Sequence, residues 1–373
     1  MGQHTAISIP QALLPADGRF GSGPSKIDVA HLQALADTGG TLLGTSHRRP
    51  NVKQLVAGAR EKLGALYNLP NGYEVVLGVG GATAFWDSAA FGLIDNRSGH
   101  FVCGEFSQKF ADVSAGAPFL SDPVVIEATP GDAPDPETID GVDVVAFVHN
   151  ETSTGVTAPV ARLSDALVLV DGTSAAGAIP IDIQETDAYY FSPQKALGSE
   201  GGLWCALLSP AAIERARTIA ESDRWIPPFL SLKTAIDNSV QDQTYNTPAI
   251  TTLFLLNRQL DVVLAHGGLT WAAERSRTSS STLYDWAEAS NIATPFVVRP
   301  ELRSTTVVTL DFVDDIDANE LSAVLRSNGV VDTESYRKLG RNQLRIATFP
   351  TIEPSDVTAL TACIDYVAER LTT

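Results

Sequence analysis

The chain has 373 residues, of which 44% are hydrophobic and 19% charged, proportions typical of a folded globular protein. Its 26 lysines and arginines are outnumbered by 44 aspartates and glutamates, and the resulting net charge of -18 argues against nucleic acid and anionic membranes as partners. The length fits two domains, or one large domain with an appendage.

Residues 1–18 lack a basic segment followed by a long apolar run, so no secretory signal is predicted, and no apolar stretch approaches membrane-spanning length. The three cysteines, Cys103, Cys205 and Cys363, are widely spaced and form neither a disulfide framework nor a metal-binding motif. A reducing compartment is therefore the expectation, and the chain is predicted to be a soluble cytoplasmic protein without a metal site.

The first predicted element is a helix over 51–67, where Val52, Val56, Ala59 and Leu63 recur at helical spacing. Seven short β-rich runs follow it, at 74–79, 100–105, 123–128, 143–149, 166–171, 187–192 and 201–208. Several are apolar throughout, as expected for strands buried on both faces of a sheet, and stretches of helical length separate some of them. The pattern predicts the α/β class, with a doubly wound, mainly parallel seven-stranded sheet.

The texture changes beyond about residue 247. The elements predicted there are helices at 248–266 and 270–289, a strand at 305–312, a helix at 316–328, a strand at 343–349 and a closing helix at 355–371. They suggest a smaller α+β domain. We therefore predict an N-terminal segment at 1–20 that packs with the small domain, a large domain at 21–260 and a small C-terminal domain at 261–373.

Lys195 is one of only seven lysines, and it follows the apolar run at 187–192. An ammonium group at the end of a buried strand is costly unless its chemistry is used. Lys195 is therefore either a surface lysine or an amine kept partly neutral so that it can attack a carbonyl.

Three further features follow predicted strands. The glycine-rich stretch at 78–83 opens a helix, and it could cradle a phosphate or could be a tight turn. Asp171 could hold a protonated ring nitrogen, or could cap the next helix. The stretch HNETSTG at 149–155 offers hydrogen-bonding side chains, although turn formation explains it equally well.

Together, these features match the needs of pyridoxal phosphate. Its phosphate suits a helix N-terminus, and a nearby carboxylate keeps its pyridine nitrogen protonated. Its aldehyde needs a lysine that holds it as a Schiff base and later acts as a general base. The combination predicts pyridoxal 5'-phosphate as the cofactor.

The sequence resembles the phosphoserine aminotransferase family, which belongs to the class V group of fold type I pyridoxal phosphate enzymes, and it looks closest to the actinobacterial branch. The resemblance covers nearly the whole chain through the motifs FGSGPS (20–25), TSHRR (45–49), GGAT (80–83), GEFSQKF (104–110), HNETSTG (149–155), VDGTSAAGA (170–178), FSPQKALG (191–198) and YNTP (245–248). GGAT and the Asp–Lys pair mark only the class V group. TSHRR, SPQK and YNTP in this order are far more specific.

The resemblance implies contacts to the cofactor. By it, Lys195 forms the Schiff base, and Asp171 pairs with the pyridine nitrogen. The backbone of Gly81 and Ala82 lies near the phosphate. Phe106 takes the position of the aromatic side chain that stacks on the ring, where many family members carry tryptophan.

It also implies that Thr152 and Gln194 contact the oxygen or phosphate side of the ring. Asn246 and Thr247 are expected to reach the phosphate held by the neighbouring subunit, which implies a homodimer with shared active sites. Many family members carry an arginine in the glycine-rich loop. This chain has none, so phosphate binding depends more on backbone N–H groups and on the partner subunit.

The substrate site implied by the resemblance contains three basic side chains. His47 and Arg48 receive the distal anionic group from across the dimer, and Arg345 clamps the α-carboxylate. A structural role for His47 and a salt bridge for Arg345 are the simpler alternatives.

The reaction implied by the resemblance transfers an amino group between L-glutamate and 3-phosphohydroxypyruvate, giving O-phospho-L-serine and 2-oxoglutarate in serine biosynthesis. Activity on 4-phosphohydroxythreonine in pyridoxine biosynthesis is left open. The alternatives are another class V enzyme, such as an alanine– or serine–glyoxylate aminotransferase or a cysteine desulfurase, and a protein that binds ligands without catalysis. A desulfurase commonly has histidine where this chain has Gln194, and it needs a mobile cysteine.

Overall fold

The computed structural model describes residues 7–372, which form ten α-helices and twelve strands. The helices are α1 (Val29–Asp37), α2 (Pro50–Leu66), α3 (Ala82–Gly92), α4 (Glu105–Gly116), α5 (Pro210–Ala220), α6 (Leu232–Ser239), α7 (Ile250–Ala265), α8 (Gly268–Ala289), α9 (Ala318–Ser327) and α10 (Pro354–Leu371). The strands are β1 (Glu74–Val79), β2 (Ser98–Val102), β3 (Val124–Glu127), β4 (Val144–Val148), β5 (Asn150–Glu151), β6 (Val156–Thr157), β7 (Leu167–Asp171), β8 (Ala188–Phe191), β9 (Leu203–Leu208), β10 (Ala293–Pro295), β11 (Val307–Phe312) and β12 (Gln343–Ala347).

The large sheet has seven strands in the order β1-β9-β8-β7-β4-β2-β3. β9 is antiparallel to both of its neighbours, β1 and β8, and the other six strands run in one direction. Every residue of β4, β7, β8 and β9 is buried, because α2 and α7 pack on one face and α3, α4, α5 and α6 on the other. This two-sided burial explains the uninterrupted apolar runs in the sequence. The predicted α/β class and the mainly parallel seven-stranded sheet are confirmed.

A second, three-stranded antiparallel sheet has the order β10-β11-β12 and packs with α8, α9 and α10 around its own core. The N-terminal segment joins this core through Ile9 and Phe20, whose amides donate to Asn328 Oδ1 (2.9 Å) and the Val331 carbonyl (3.2 Å). The part of the N-terminal prediction that concerns residues 1–6 lies outside the described residues.

The domain boundaries stay a prediction. Residue 260 lies within α7, which contacts α1 and α2, whereas α8 contacts both α7 and α10. Among the helices of residues 7–372, none has the length and hydropathy needed to cross a bilayer.

The sequence analysis did not identify α1, α5, α6, the β5–β6 hairpin or β10. These elements are short, so their hydrophobic periodicity extends over too few residues to be distinguished from a loop. The hairpin matters for function, because it begins just after β4 at the edge of the sheet where the parallel strands end.

Candidate active site

A cavity of about 410 Å³ opens at the carboxyl ends of the parallel strands β4, β7 and β8. This is the edge at which open α/β sheets bind ligands. Residues far apart in the sequence line it, among them Gly81, Phe106, Thr152, Asp171 and Lys195. The structure therefore brings together the glycine-rich turn, the loop after β4 and the ends of β7 and β8.

The Lys195 side chain lies inside this cavity and is only 8% exposed. Its Nζ donates to Thr152 Oγ1 (3.1 Å) and lies 5.5 Å from the centroid of the Phe106 ring. Gly23, at φ +142°, covers the lysine so closely that a Cβ there would lie 2.8 Å from the lysine Cε. The amine is therefore enclosed by the Phe106 ring, the Thr152 hydroxyl and the backbone at Gly23.

Burial is the main reason why the pKa of Lys195 falls from 10.5 to about 8. The nearby Arg345 guanidinium lowers the pKa further, while the carboxylates of Asp171 and Glu151 act in the opposite direction. A larger fraction of this amine is consequently neutral near physiological pH than of an exposed lysine.

Because its pKa is lowered, Lys195 should make the free energy of unfolding of the cofactor-free protein depend on pH. In the unfolded chain Lys195 keeps its proton up to about pH 10.5, whereas in the native state it loses that proton above about pH 8. Between these values the unfolded state binds more protons, so stability rises with pH. We expect the free energy of unfolding of wild type, relative to Lys195→Met, to rise by about 3 kcal/mol from pH 8 to pH 10.5 in urea titrations. A flat difference would contradict a depressed lysine pKa.

Asp171 ends β7 and is also buried. Its Oδ1 accepts a hydrogen bond from the Thr173 amide (2.8 Å), so the carboxylate does cap the turn that follows. Burial raises its pKa, while the hydrogen bonds of Thr173 oppose that shift. Among residues 7–372, no cationic side chain forms an ion pair with this carboxylate. The cap uses only Oδ1 of Asp171, so Oδ2 is available for a cationic ligand.

The phosphate end of the predicted site is the N-terminus of α3. Gly81 is its N-cap residue, and Gly81, Ala82 and Thr83 all line the cavity. Gly80 adopts φ +114°, a conformation that residues other than glycine rarely adopt. A Cβ at this position would also lie only 2.7 Å from the Ala84 Cβ. The turn thus directs a helix N-terminus with its partial positive charge toward the cavity.

The β5–β6 loop contributes Thr152 on the other side of the lysine. Its hydroxyl donates to Ser174 Oγ (2.9 Å), which in turn donates to the Asn150 carbonyl (2.8 Å). Gln194 also lines the cavity, and its Oε1 is buried without a hydrogen-bond partner in the described part of the chain. Gln194 Oε1 is therefore available for a polar ligand on this side, whereas the Thr152 hydroxyl already bonds Ser174 and Lys195.

Arg345 extends from β12 of the small sheet toward the lysine. It lines a second cavity, of about 550 Å³, which shares Gly23 and Pro24 with the first. Its Nη1 donates to the Thr152 carbonyl (3.0 Å), whereas its Nε is buried without a partner among residues 7–372. The alternative of a salt bridge is not observed within that range. A partly buried guanidinium without a carboxylate partner suits an anionic ligand.

Four predicted site residues, unlike Arg345, line neither of these two cavities in the single chain. Thr247 Oγ1 hydrogen-bonds His47 Nδ1 (3.0 Å), and Arg48 binds the Tyr245 carbonyl (3.2 Å), so the TSHRR and YNTP motifs contact each other. Asn246 lies in the same exposed cluster. The structure therefore brings His47, Arg48, Asn246 and Thr247 together, but apart from Lys195.

Sequence reasoning missed several residues of the cavity. Trp86 lines it one helical turn after Ala82, and the spacing of a helix could have placed it on the same face. Gly23 belongs to FGSGPS, which was noted for its resemblance but given no role. Thr173 lines the cavity two residues after Asp171, whereas nothing local in the sequence indicates that Glu200 does so.

The donor set of the cavity fits pyridoxal phosphate. A helix N-terminus suits a phosphate, a buried carboxylate without an ion-pair partner in residues 7–372 suits a pyridinium nitrogen, and a buried amine of lowered pKa suits an aldehyde. These three groups line one cavity. Gln194 Oε1 adds a buried acceptor without a partner in residues 7–372.

The fold and this site define a fold type I enzyme of pyridoxal phosphate chemistry. The family model described as Aminotransferase class-V matches residues 133–333. The chain belongs to the class V aminotransferase family and is an aminotransferase, as the sequence predicted. Pyridoxal phosphate is the cofactor of class V aminotransferases, so the predicted cofactor is also confirmed.

A protein from Nocardioides sp. (strain ATCC BAA-499 / JS614), named phosphoserine aminotransferase, is 58% identical over 98% of this chain and 99% of its own. Two solved structures of phosphoserine aminotransferases share the fold. The Cytophaga hutchinsonii structure has a TM-score of 0.85 at 24% identity and covers 94% of this chain and 99% of its own. The Bacillus circulans structure has a TM-score of 0.84 at 20% identity and covers 95% and 99%.

Proposed function

We propose that this aminotransferase is a phosphoserine aminotransferase, which transfers an amino group between L-glutamate and 3-phosphohydroxypyruvate. The observation that carries the proposal is the buried Lys195 amine, which shares a cavity with Asp171 and lies near Arg345, a guanidinium without an ion-pair partner among residues 7–372. The 58% identity to the Nocardioides phosphoserine aminotransferase supports the choice of substrates.

Bound pyridoxal phosphate supplies an aldehyde that condenses with the substrate amine and a ring that withdraws electrons from the α-carbon. Lys195 Nζ would hold that aldehyde and, as a free amine, would accept the proton of the α-carbon as a general base. Its hydrogen bond to Thr152 Oγ1 orients it for this transfer. The Asp171 carboxylate holds a proton on the ring nitrogen, because a nearby negative charge raises the pKa of that nitrogen.

The remaining contacts are proposed from the lining of the cavity. Backbone N–H groups of Gly81 and Ala82 hold the phosphate at the N-terminus of α3, and the Phe106 ring covers the cofactor and excludes water. Gln194 and Thr152 bind the polar edge of the cofactor. Arg345 binds the α-carboxylate of the substrate through its unpaired guanidinium edge.

We propose that the functional unit is a homodimer with shared active sites. In one chain, His47, Arg48, Asn246 and Thr247 cluster away from the cavity, so they contribute to an active site only if a second copy supplies them. Large aromatic side chains are also exposed in this part of the chain. Tyr245, which contacts Arg48, is 46% exposed, and Trp225 and Phe229 are 74% and 49% exposed. Exposed aromatic side chains of this size are typical of interfaces.

The Arg48→Ala variant tests the substrate role. Since Arg48 is proposed to bind the phosphate of the keto acid in both the ground state and the transition state, its loss should raise KM for 3-phosphohydroxypyruvate about 100-fold and change kcat little. Steady-state kinetics with glutamate as donor measure both constants. Arg49→Ala, at the neighbouring N-cap position of α2, is the matched control and should leave KM unchanged.

A mixing experiment tests whether Arg48 acts across the dimer. At 3-phosphohydroxypyruvate concentrations far below the KM of Arg48→Ala, the Lys195→Ala and Arg48→Ala variants are each defective alone, and their subunits should form mixed dimers with one intact site out of two. If the subunits exchange freely, about a quarter of the wild-type activity should return. Mixed dimers demonstrated by mass spectrometry but without recovered activity would contradict a shared site.

The proposed reaction is tested directly by the rate of 2-oxoglutarate formation from glutamate and 3-phosphohydroxypyruvate. Equal activity with pyruvate or glyoxylate in place of the phosphorylated acid would favour the other class V aminotransferases. A cysteine desulfurase is not supported, because Cys103, Cys205 and Cys363 are all buried and burial raises the pKa of each thiol.

We place the enzyme in serine biosynthesis and in the cytoplasm. Its free cysteine thiols support a reducing compartment. The same assay with 4-phosphohydroxythreonine and 2-oxoglutarate tests whether the enzyme also serves pyridoxine biosynthesis.

A further inference from the structure

Glu151 is a fully buried carboxylate to which the sequence analysis gave no role. It lies in β5 between Asn150 and Thr152, with an exposed fraction of 0%. No lysine, arginine or histidine among residues 7–372 forms a salt bridge with it. A buried charge of this kind is costly unless hydrogen bonds compensate it. The donors that do so all belong to the start of α4 and to the Glu151 loop itself.

Both oxygens of this carboxylate are occupied. Oε2 accepts from the amides of Phe106 (3.1 Å) and Ser107 (3.0 Å) and from Ser107 Oγ (3.1 Å). Oε1 accepts from Ser153 Oγ (2.6 Å) and from the Ser153 amide (3.2 Å). Ser153 Oγ in turn accepts from the Glu105 amide (3.1 Å). Glu151 and Ser153 therefore cap the first turn of α4, where a negative charge is also favoured by the helix dipole.

The approach of Glu151 to this helix requires a glycine at the N-cap. A Cβ on Gly104 would lie 2.5 Å from Glu151 Cγ and 2.6 Å from Ser153 Oγ. Gly104 has an extended backbone, so the steric contact and not its conformation demands the small residue. Gly104 of GEFSQKF and Glu151 of HNETSTG are thus in direct contact, and the first must be small to accommodate the second.

Phe106 is the second residue of this helix, and its amide is one of those that Glu151 holds. Its ring lies in the cavity 5.5 Å from Lys195 Nζ, so a small movement of the first turn of α4 would move the ring relative to the cofactor. We propose that Glu151 is a positioning residue, which fixes the start of α4 so that the Phe106 ring lies against the pyridoxal phosphate ring. This inference rests on the proposed function only through the cofactor.

If Glu151 affected cofactor binding only through its charge, Glu151→Ala would change the affinity in the opposite direction. Removing a carboxylate near the cavity reduces repulsion of the anionic cofactor phosphate, so electrostatics would tighten binding in Glu151→Ala. A positioning role predicts weaker binding, because the Phe106 ring loses its stacking geometry. The two effects therefore differ in sign.

The test is a double-mutant cycle on the Kd of pyridoxal phosphate, measured by visible absorbance. We expect Phe106→Leu to weaken binding roughly tenfold, since an aromatic stacking contact is lost. Glu151→Ala should weaken binding roughly tenfold in the wild-type background, but less than twofold in the Phe106→Leu background. Glu151→Gln, which keeps one acceptor oxygen, should restore most of the affinity.

Two further variants guard against a general loss of structure. Asp317→Ala removes another helix-capping carboxylate, which accepts from the Asn319 amide far from the cavity, and it should leave the Kd unchanged. If Glu151→Ala does not fold, Ser153→Ala removes part of the same contact and should show a smaller loss with the same dependence on Phe106.

Equal losses in the two backgrounds, or an unchanged or lower Kd in Glu151→Ala, would overturn the proposal. Because the cycle measures cofactor binding and not turnover, it remains informative even if the enzyme proves to use other substrates. Failure of the assay with 3-phosphohydroxypyruvate would refute the proposed function without affecting the cycle.

Discussion

Lys195→Ala is expected to lower kcat by at least about 10³-fold, because the variant loses both the nucleophile that holds the cofactor and the general base. The visible absorption of lysine-bound pyridoxal phosphate should disappear as well. Turnover of glutamate and 3-phosphohydroxypyruvate, together with the absorption spectrum, measures both effects. A fully active Lys195→Ala enzyme would end the assignment.

The matched control is Lys233→Ala. Lys233 pairs with Asp237 on the surface of α6, so its loss removes one ammonium group without entering the cavity. We expect wild-type turnover and an unchanged spectrum, because surface pairs of this kind contribute little to stability.

Asp171→Asn is expected to retain pyridoxal phosphate but to react on the order of 10² times more slowly. Asparagine keeps an oxygen that can accept from the Thr173 amide, so the turn after β7 should survive. It lacks the negative charge that raises the pKa of the ring nitrogen, a shift of one to three units in comparable pairs. Single-turnover kinetics with glutamate isolate the step that needs the protonated ring.

Asp28→Asn provides the control for capping. Its Oδ1 accepts from the Ala30 amide (2.8 Å) two residues ahead, the same local geometry as at Asp171, but at the exposed start of α1. We expect no change in rate. If Asp171→Asn were as active as Asp28→Asn, the role of Asp171 would be limited to capping the turn after β7.

The amino-acid sequence by itself determined the class of fold and the two central residues of the site. The strands of the large sheet are buried on both faces, so their apolar runs are a local property that needs no knowledge of partners. Asp171 ends such a strand and the segment leading to Lys195 follows another, and neighbouring parallel strands end at one edge. Their convergence could therefore be predicted from the order of elements alone.

Contacts between distant segments were decided only by the tertiary structure. Gly23 covers Lys195, Arg345 reaches the Thr152 carbonyl, and Glu151 caps α4, although each pair is separated by more than forty positions. Such contacts depend on strand register and on the packing of helices against the sheet, and hydrophobic periodicity carries no information about either. Sequence reasoning could name Phe106 from a resemblance, but only the fold shows which carboxylate holds its helix in place.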